Sequence, residues 1–217
     1  MEATFYRCIV MNKTVTIIDY GSGNLWSVRS ALRYLGHDFV VSSKPSEIVK
    51  SDMLILPGVG SFRKAMHALE HSQLDEAILE AVTIKGRKIL GICLGMQLLA
   101  MNSSEDGETA GLGLIATKVK RFNINSSVRL KVPHIGFNQV RYEDQSMLFK
   151  GISPSSDFYF VHSYKLLGEG LPGHHGICHY GQDFLASYEC GNVFATQFHP
   201  EKSQTNGLKL LKNFLNY

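Results

Sequence analysis

The stretch KILGICLGMQLL, residues 88–99, runs an apolar strand straight into Gly91-Ile92-Cys93-Leu94-Gly95 and continues as a helix. The Gly-x-Cys-x-Gly spacing is the cysteine form of a nucleophile elbow. Side chains flanking such a turn would collide, so glycine stands two residues before and two after the nucleophile. The turn raises the sulfur at the top of a sheet and sets Cys93 at a helix N-terminus, where the dipole favours a thiolate. The Leu94 N–H then points to where an oxyanion would form. Taken alone, the pattern fits a buried structural cysteine at a strand-to-helix junction equally well.

Upstream of the elbow, strand and helix patterns alternate. Val15–Asp19, Asp38–Val41 and Met53–Leu56 read as buried strands. Leu25, Val28, Leu32 and Leu35 recur at helical spacing with Gly36 as a C-cap, and a second helix over Phe62–Ala81 is expected to break near His71 and Ser72. The helix after Cys93 is expected over Leu94–Met101. This alternation predicts an α/β fold with a mostly parallel sheet between two helical layers, and with ligands at the carboxyl ends of the strands. From Ile115 onward the pattern becomes β-like. Ile115–Phe122, Phe137–Tyr142, Phe158–Tyr164, Phe184–Glu189 and Val193–Phe198 add an antiparallel region, with a hairpin turning at Cys190, Gly191 and Asn192. An amphipathic helix carrying Leu208, Leu211, Phe214 and Leu215 ends the chain. One domain over residues 14–217 is expected, preceded by an extension over residues 1–13.

The second chemical element is VFATQFHPEKS, residues 193–203. A strand delivers His199 at its end, and i, i+2 geometry in extended chain turns Glu201 to the same side. Pro200 biases His199 toward extended backbone. A carboxylate there can accept a hydrogen bond from one imidazole nitrogen and leave the other facing a thiol, which is triad logic with cysteine as nucleophile. The chemistry that follows is attack on a carboxamide, giving a thioester and ammonia. A lone histidine is usually structural; the upstream cysteine elbow changes that reading.

MLILPGVGSF, residues 53–62, is a strand ending in Pro57-Gly58-Val59-Gly60 on the same sheet edge as Cys93. Gly58 or Val59 can offer a second oxyanion N–H, although Pro-Gly also makes an ordinary tight turn. The glycines of YGSGNL, residues 20–25, match neither dinucleotide nor P-loop spacing and read better as a partner-facing loop. His174, His175, Cys178 and His179 fit no common zinc spacing, so a loop followed by a strand is expected there and no metal.

Composition agrees with a folded protein. Of 217 residues 44% are hydrophobic and 19% charged, with 22 Lys and Arg against 19 Asp and Glu. A net charge of +3 without a dense basic run gives no case for nucleic acid. Four cysteines without a CxxC pair read as reduced thiols. No apolar run suits a membrane span or a signal peptide, so a cytoplasmic protein is expected.

With these residues in place, the chain resembles class I glutamine amidotransferases. Within them it is similar to the glutaminase subunits of imidazole glycerol phosphate synthase. TIIDYGSGNLWSV, LPGVGSF, GICLGMQLL, GLGLI, KVPHIGFNQV, YFVHSY and TQFHPEKSQ carry the likeness over nearly the whole chain. The resemblance implies Cys93 as nucleophile, His199 as acid/base and Glu201 as its orienter, with Gly58, Val59 and Leu94 at the oxyanion. It implies Gly60, Gln97, Ser163 and Tyr164 at the bound glutamine. No cofactor is implied. The implied partner is a (β/α)8-barrel cyclase, met near Asn24, Phe137 and Lys202, which uses the ammonia to make imidazole glycerol phosphate and an aminoimidazole carboxamide ribonucleotide in histidine biosynthesis. The family commonly has Trp where this chain has Phe137. Service to another amination pathway, a related cysteine hydrolase and a non-enzymatic binding subunit are the alternatives. The intact Cys, His and Glu oppose the last.

Overall fold

The computed structural model describes residues 13–123, 130–154 and 156–217. The expected N-terminal extension, Lys13 apart, and Cys8 lie outside the described residues. The strands are β1 (Val15–Ile18), β2 (Phe39–Ser42), β3 (Met53–Gly58), β4 (Lys88–Cys93), β5 (Ala100–Ser103), β6 (Thr109–Ala110) and β7 (Ile115–Arg121). They continue as β8 (His134–Gln139), β9 (Arg141–Tyr142), β10 (Asp157–His162), β11 (Tyr164–Leu166), β12 (His174–His179), β13 (Asp183–Cys190) and β14 (Val193–Thr196). The helices are α1 (Leu25–Tyr34), α2 (Pro45–Lys50), α3 (Phe62–His71), α4 (Leu74–Leu79), α5 (Leu94–Leu98) and α6 (Gln204–Asn216).

The main sheet runs β2-β1-β3-β4-β14-β13-β11-β7-β5-β6. Its first five strands are parallel. β1, β3 and β14 are buried at every position, as strands covered on both faces must be. β7 instead alternates buried and exposed residues along most of its length, because only one of its faces is covered. Beyond β14 the antiparallel strands expected from the sequence follow, and β8 and β10 form a separate two-stranded antiparallel sheet. One apolar core packs Leu54, Leu56, Phe62, Leu69 and Ile78 on one face of the main sheet. The other sets Val15, Ile17, Ile55, Leu32 and Leu211 together, which seats α1 and α6 on the opposite face.

The expected helix over Phe62–Ala81 divides where Gln73 takes a left-handed φ of 56°. Three segment readings need correction. The helix after Cys93 ends at Leu98, because Ala100–Ser103 leave it to pair in parallel with β7. α2 was not expected. It is too short for apolar periodicity to register, although Pro45 at its start is a helix-opening signal. His174–His179 are strand β12 along β13 from their first residue, not a loop followed by a strand, with His174 bonded to Glu143 and His179 to Asp183. Among the described residues, no helix is long and apolar enough to cross a membrane.

Candidate active site

Cys93 closes β4 at φ 56°, ψ −108°, a conformation costly for any residue with a side chain. The flanking glycines are needed for contact rather than flexibility. A Cβ on Gly95 would lie 1.8 Å from the Leu56 carbonyl oxygen, and one on Gly91 would lie 2.8 Å from the Gly95 oxygen. β3, β4 and α5 therefore meet backbone to backbone under the thiol. With only five residues, α5 offers a smaller dipole than the expected longer helix would.

β14 lies beside β4 with Thr196 opposite Ile92, so the chain leaving β14 arrives over Cys93. His199 is extended there and its N–H donates to the Tyr159 carbonyl at 2.9 Å. Residues Pro200–Lys202 then form a 3-10 turn rather than continuing the strand. That turn, not extended i, i+2 geometry, brings Glu201 back to the ring. His199 Nδ1 and Glu201 Oε1 are 2.7 Å apart, with both side chains buried. His199 Nε2 is buried without a hydrogen-bond partner, while Cys93 Sγ donates to the Val161 carbonyl and accepts from Gln197 Nε2, each at 3.8 Å. Burial alone would lower the histidine pKa. Interaction with Cys93 and Glu201 outweighs it and raises the pKa to about 10. Gly207 lets α6 press on the turn, since a Cβ there would sit 1.9 Å from the Pro200 oxygen.

A cavity of about 300 Å³ opens at Cys93. Val59, Gly60, Leu94, Gln97, Ser163, Tyr164 and His199 line it. Gly58 lies beneath, paired with Cys93, where a Cβ would meet the Tyr20 hydroxyl at 2.5 Å and Leu94 Cβ at 2.9 Å. The Val59 carbonyl accepts from Ser22 Oγ at 2.9 Å, and Gly60 follows at φ 101°. Gln97 Nε2 donates to the Tyr164 carbonyl and to Gln197 Oε1, each at 3.0 Å. Both amide hydrogens are thus committed, which leaves Gln97 Oε1 as an acceptor for a cationic group.

Residues 16–216 match the family model for class I glutamine amidotransferases. The chain belongs to the class I glutamine amidotransferases. This amidotransferase is 47% identical over 202 residues to a protein of Moorella thermoacetica named imidazole glycerol phosphate synthase subunit HisH, covering 93% of this chain and 94% of that one. A Methanosarcina acetivorans protein of the same name is 48% identical over 206 residues, covering 94% and 98%. Among solved structures, PurLQS from Thermotoga maritima superposes with a TM-score of 0.71 at 17% identity, covering 95% of this chain and 99% of that one. A structure described as a glutamine amidotransferase gives 0.71 at 20%, covering 93% and 97%. At such identities the structural likeness concerns the fold alone.

The three residues expected at a partner lie outside the amidotransferase cavity. Asn24 accepts from the Ser27 N–H at the start of α1. Phe137 packs edge-on to Tyr159 at 5.5 Å, and Lys202 lies over the same ring at 5.9 Å. Four cavity residues escaped the sequence reading, Glu105 foremost. Glu105 sits in the loop between β5 and β6 and accepts from the Phe62 N–H at 2.8 Å. Burial raises its carboxyl pKa, the Phe62 bond opposes the shift and Asp106 adds to it. An acidic residue in a polar, glycine-containing loop gives no periodic signal. Only its place beside Gly60 and Gln97 reveals it. Pro133, Val161 and His162 also line the cavity; they fall in the KVPHIGFNQV and YFVHSY stretches, which the sequence reading quoted without giving these three a site role.

Proposed function

We propose that this amidotransferase is the glutaminase subunit of an imidazole glycerol phosphate synthase, releasing ammonia from glutamine for histidine biosynthesis. The observation that carries the reading is the buried 2.7 Å His199–Glu201 bond, with Nε2 left for a thiol held on a strained elbow. Near-full-length relatives named as this subunit support the pathway.

In this reading Cys93 Sγ attacks the carboxamide carbon and its proton resides on His199 Nε2. Glu201 holds the ring's other N–H and stabilises the imidazolium. The N–H groups of Leu94 and of Gly58 or Val59 receive the developing oxyanion. When the tetrahedral adduct collapses, the C–N bond breaks, His199 returns the proton to nitrogen, and ammonia leaves a thioester on Cys93. Water then loses a proton to His199, attacks the thioester and frees glutamate and thiol. Gln97 Oε1 and the Glu105 carboxylate are the acceptors for the substrate's α-ammonium, and Gly60, Ser163 and Tyr164 frame its backbone end.

The ammonia passes to a (β/α)8-barrel cyclase, met through Asn24, Phe137 and Lys202. Residues 14–217 act as one domain, a reading supported by one sheet that takes strands from Val15 to Thr196. Work in the cytoplasm fits a biosynthetic subunit. The test is Cys93→Ala in the complex with the cyclase. Glutamine-dependent synthesis should vanish while synthesis from added ammonia persists; equal loss of both would contradict the assignment.

A further inference from the structure

The small sheet of β8 and β10 carries two buried histidines that the chemistry above leaves unused. His134 and His162 are direct partners in the antiparallel register. His134 Nδ1 lies 3.1 Å from His162 Nε2, and His162 Nδ1 lies 2.8 Å from the Tyr164 carbonyl oxygen. A carbonyl only accepts, so His162 Nδ1 must carry the hydrogen. In a neutral ring Nε2 then holds a lone pair, and His134 Nδ1 must donate to it. The direction of both bonds follows from one carbonyl.

Aromatic packing holds the two rings. His134 stacks between Tyr180 at 3.9 Å and Phe160 at 4.8 Å, while Phe184 and Phe122 lie 5.1 and 5.2 Å from His162. Burial favours the neutral form of both, lowering the pKa to about 4 for His134 and about 3 for His162. The Tyr164 carbonyl also accepts from Gln97, so it is gripped from two sides. Tyr164 lines the cavity.

We propose that His134 and His162 are positioning residues for the glutaminase reaction: a neutral, one-directional pair of hydrogen bonds that fixes the Tyr164 carbonyl and thereby the Ser163–Tyr164 wall framing the substrate's backbone end. The proposal rests on the glutaminase reading and adds residues outside the triad. Neither histidine takes part in bond making. Losing the pair loosens the wall while leaving Cys93, His199 and Glu201 in place.

The test is steady-state glutamine hydrolysis by the complex with the cyclase. A net hydrogen bond corresponds to roughly a two- to twelvefold change in affinity. His162→Leu should therefore raise KM for glutamine about tenfold with kcat within about twofold. His162→Asn keeps a donor near the Nδ1 position and should bring KM back to within about threefold of wild type. Unshifted KM in His162→Leu, or an Asn variant no better than Leu, would overturn the positioning role. Lack of glutamine turnover by the wild-type complex would instead overturn the glutaminase reading. An independent readout uses 15N imidazole shifts of the isolated chain at pH 7. Both rings should be protonated at Nδ1, and His134 should lose that strict preference in His162→Leu. A wild-type ring protonated at Nε2 would refute the pair as described.

Discussion

Acid should unfold this protein through His134 and His162 before it affects most carboxylates. Each ring has an ordinary pKa of 6.5, lowered in the fold to about 4 and about 3 by burial. The unfolded chain therefore binds protons that the folded chain refuses. The stability from neutral rings is present above pH 6.5 and is lost as pH falls toward the folded values. At pH 5.5 an unfolded histidine holds about 0.9 proton and the buried one almost none, so each contributes a slope of about 1.2 kcal/mol per pH unit. Between pH 7 and pH 5 the pair removes about 4 kcal/mol, a large part of the ~5–15 kcal/mol that holds a typical domain. His199 acts in the opposite sense. Its raised pKa makes folding favour the proton, and over the same interval it returns about 1 kcal/mol. The assay is urea unfolding of the isolated chain from pH 5 to pH 7, followed by circular dichroism, since Trp26 is largely exposed and a poor fluorescence probe. His134→Leu and His162→Leu should each flatten the pH slope by about 1.2 kcal/mol per unit, whatever their absolute stability. If both variants kept the wild-type slope, neutral burial of the pair would be refuted.

Gly95→Ala should cost at least about 3 kcal/mol or prevent folding, because the new Cβ meets the Leu56 carbonyl at 1.8 Å; a denaturation midpoint near wild type would contradict the packing under the elbow. Glu201→Gln should lower kcat by ~10²–10⁴ and reduce the His199 pKa from its raised value, as judged from the pH profile and imidazole shifts; an unmoved profile would deny Glu201 its role. Glu105→Gln should raise KM for glutamine about tenfold with little change in kcat, since it weakens one charged contact to the α-ammonium; unaltered KM would remove Glu105 from the substrate site.

The candidate catalytic set was legible because its parts are local in sequence. Gly91 and Gly95 announce an elbow without reference to the rest of the chain, and His199-Pro200-Glu201 is one continuous turn. The buried strands β1, β3 and β4 were equally readable from unbroken apolar runs. What stayed hidden depends on register and on packing between distant segments. Nothing in VPHIGFN or FVHSY says that His134 and His162 stand opposite one another; the β8–β10 pairing does. Glu105 enters the cavity only because its loop caps the start of α3. The overlong helix after Cys93 arose because Ala100 and Met101 suit a helix locally, while pairing with β7 makes them strand. Glu201 reaches the imidazole through a 3-10 turn after Pro200 instead of extended chain, and a turn of three residues has no periodic signature.

The placement of β14 between β4 and β13 has a consequence for biosynthesis of the chain itself. During translation β1 to β4 emerge first, and β4 is left as an open edge until the hairpin ending at Thr196 is made. Such an edge invites mispairing with other nascent chains. It also means that the thiol meets its base only after the chain has been made through His199 and Glu201, so a nascent polypeptide that stops short of them should carry an elbow without glutaminase activity.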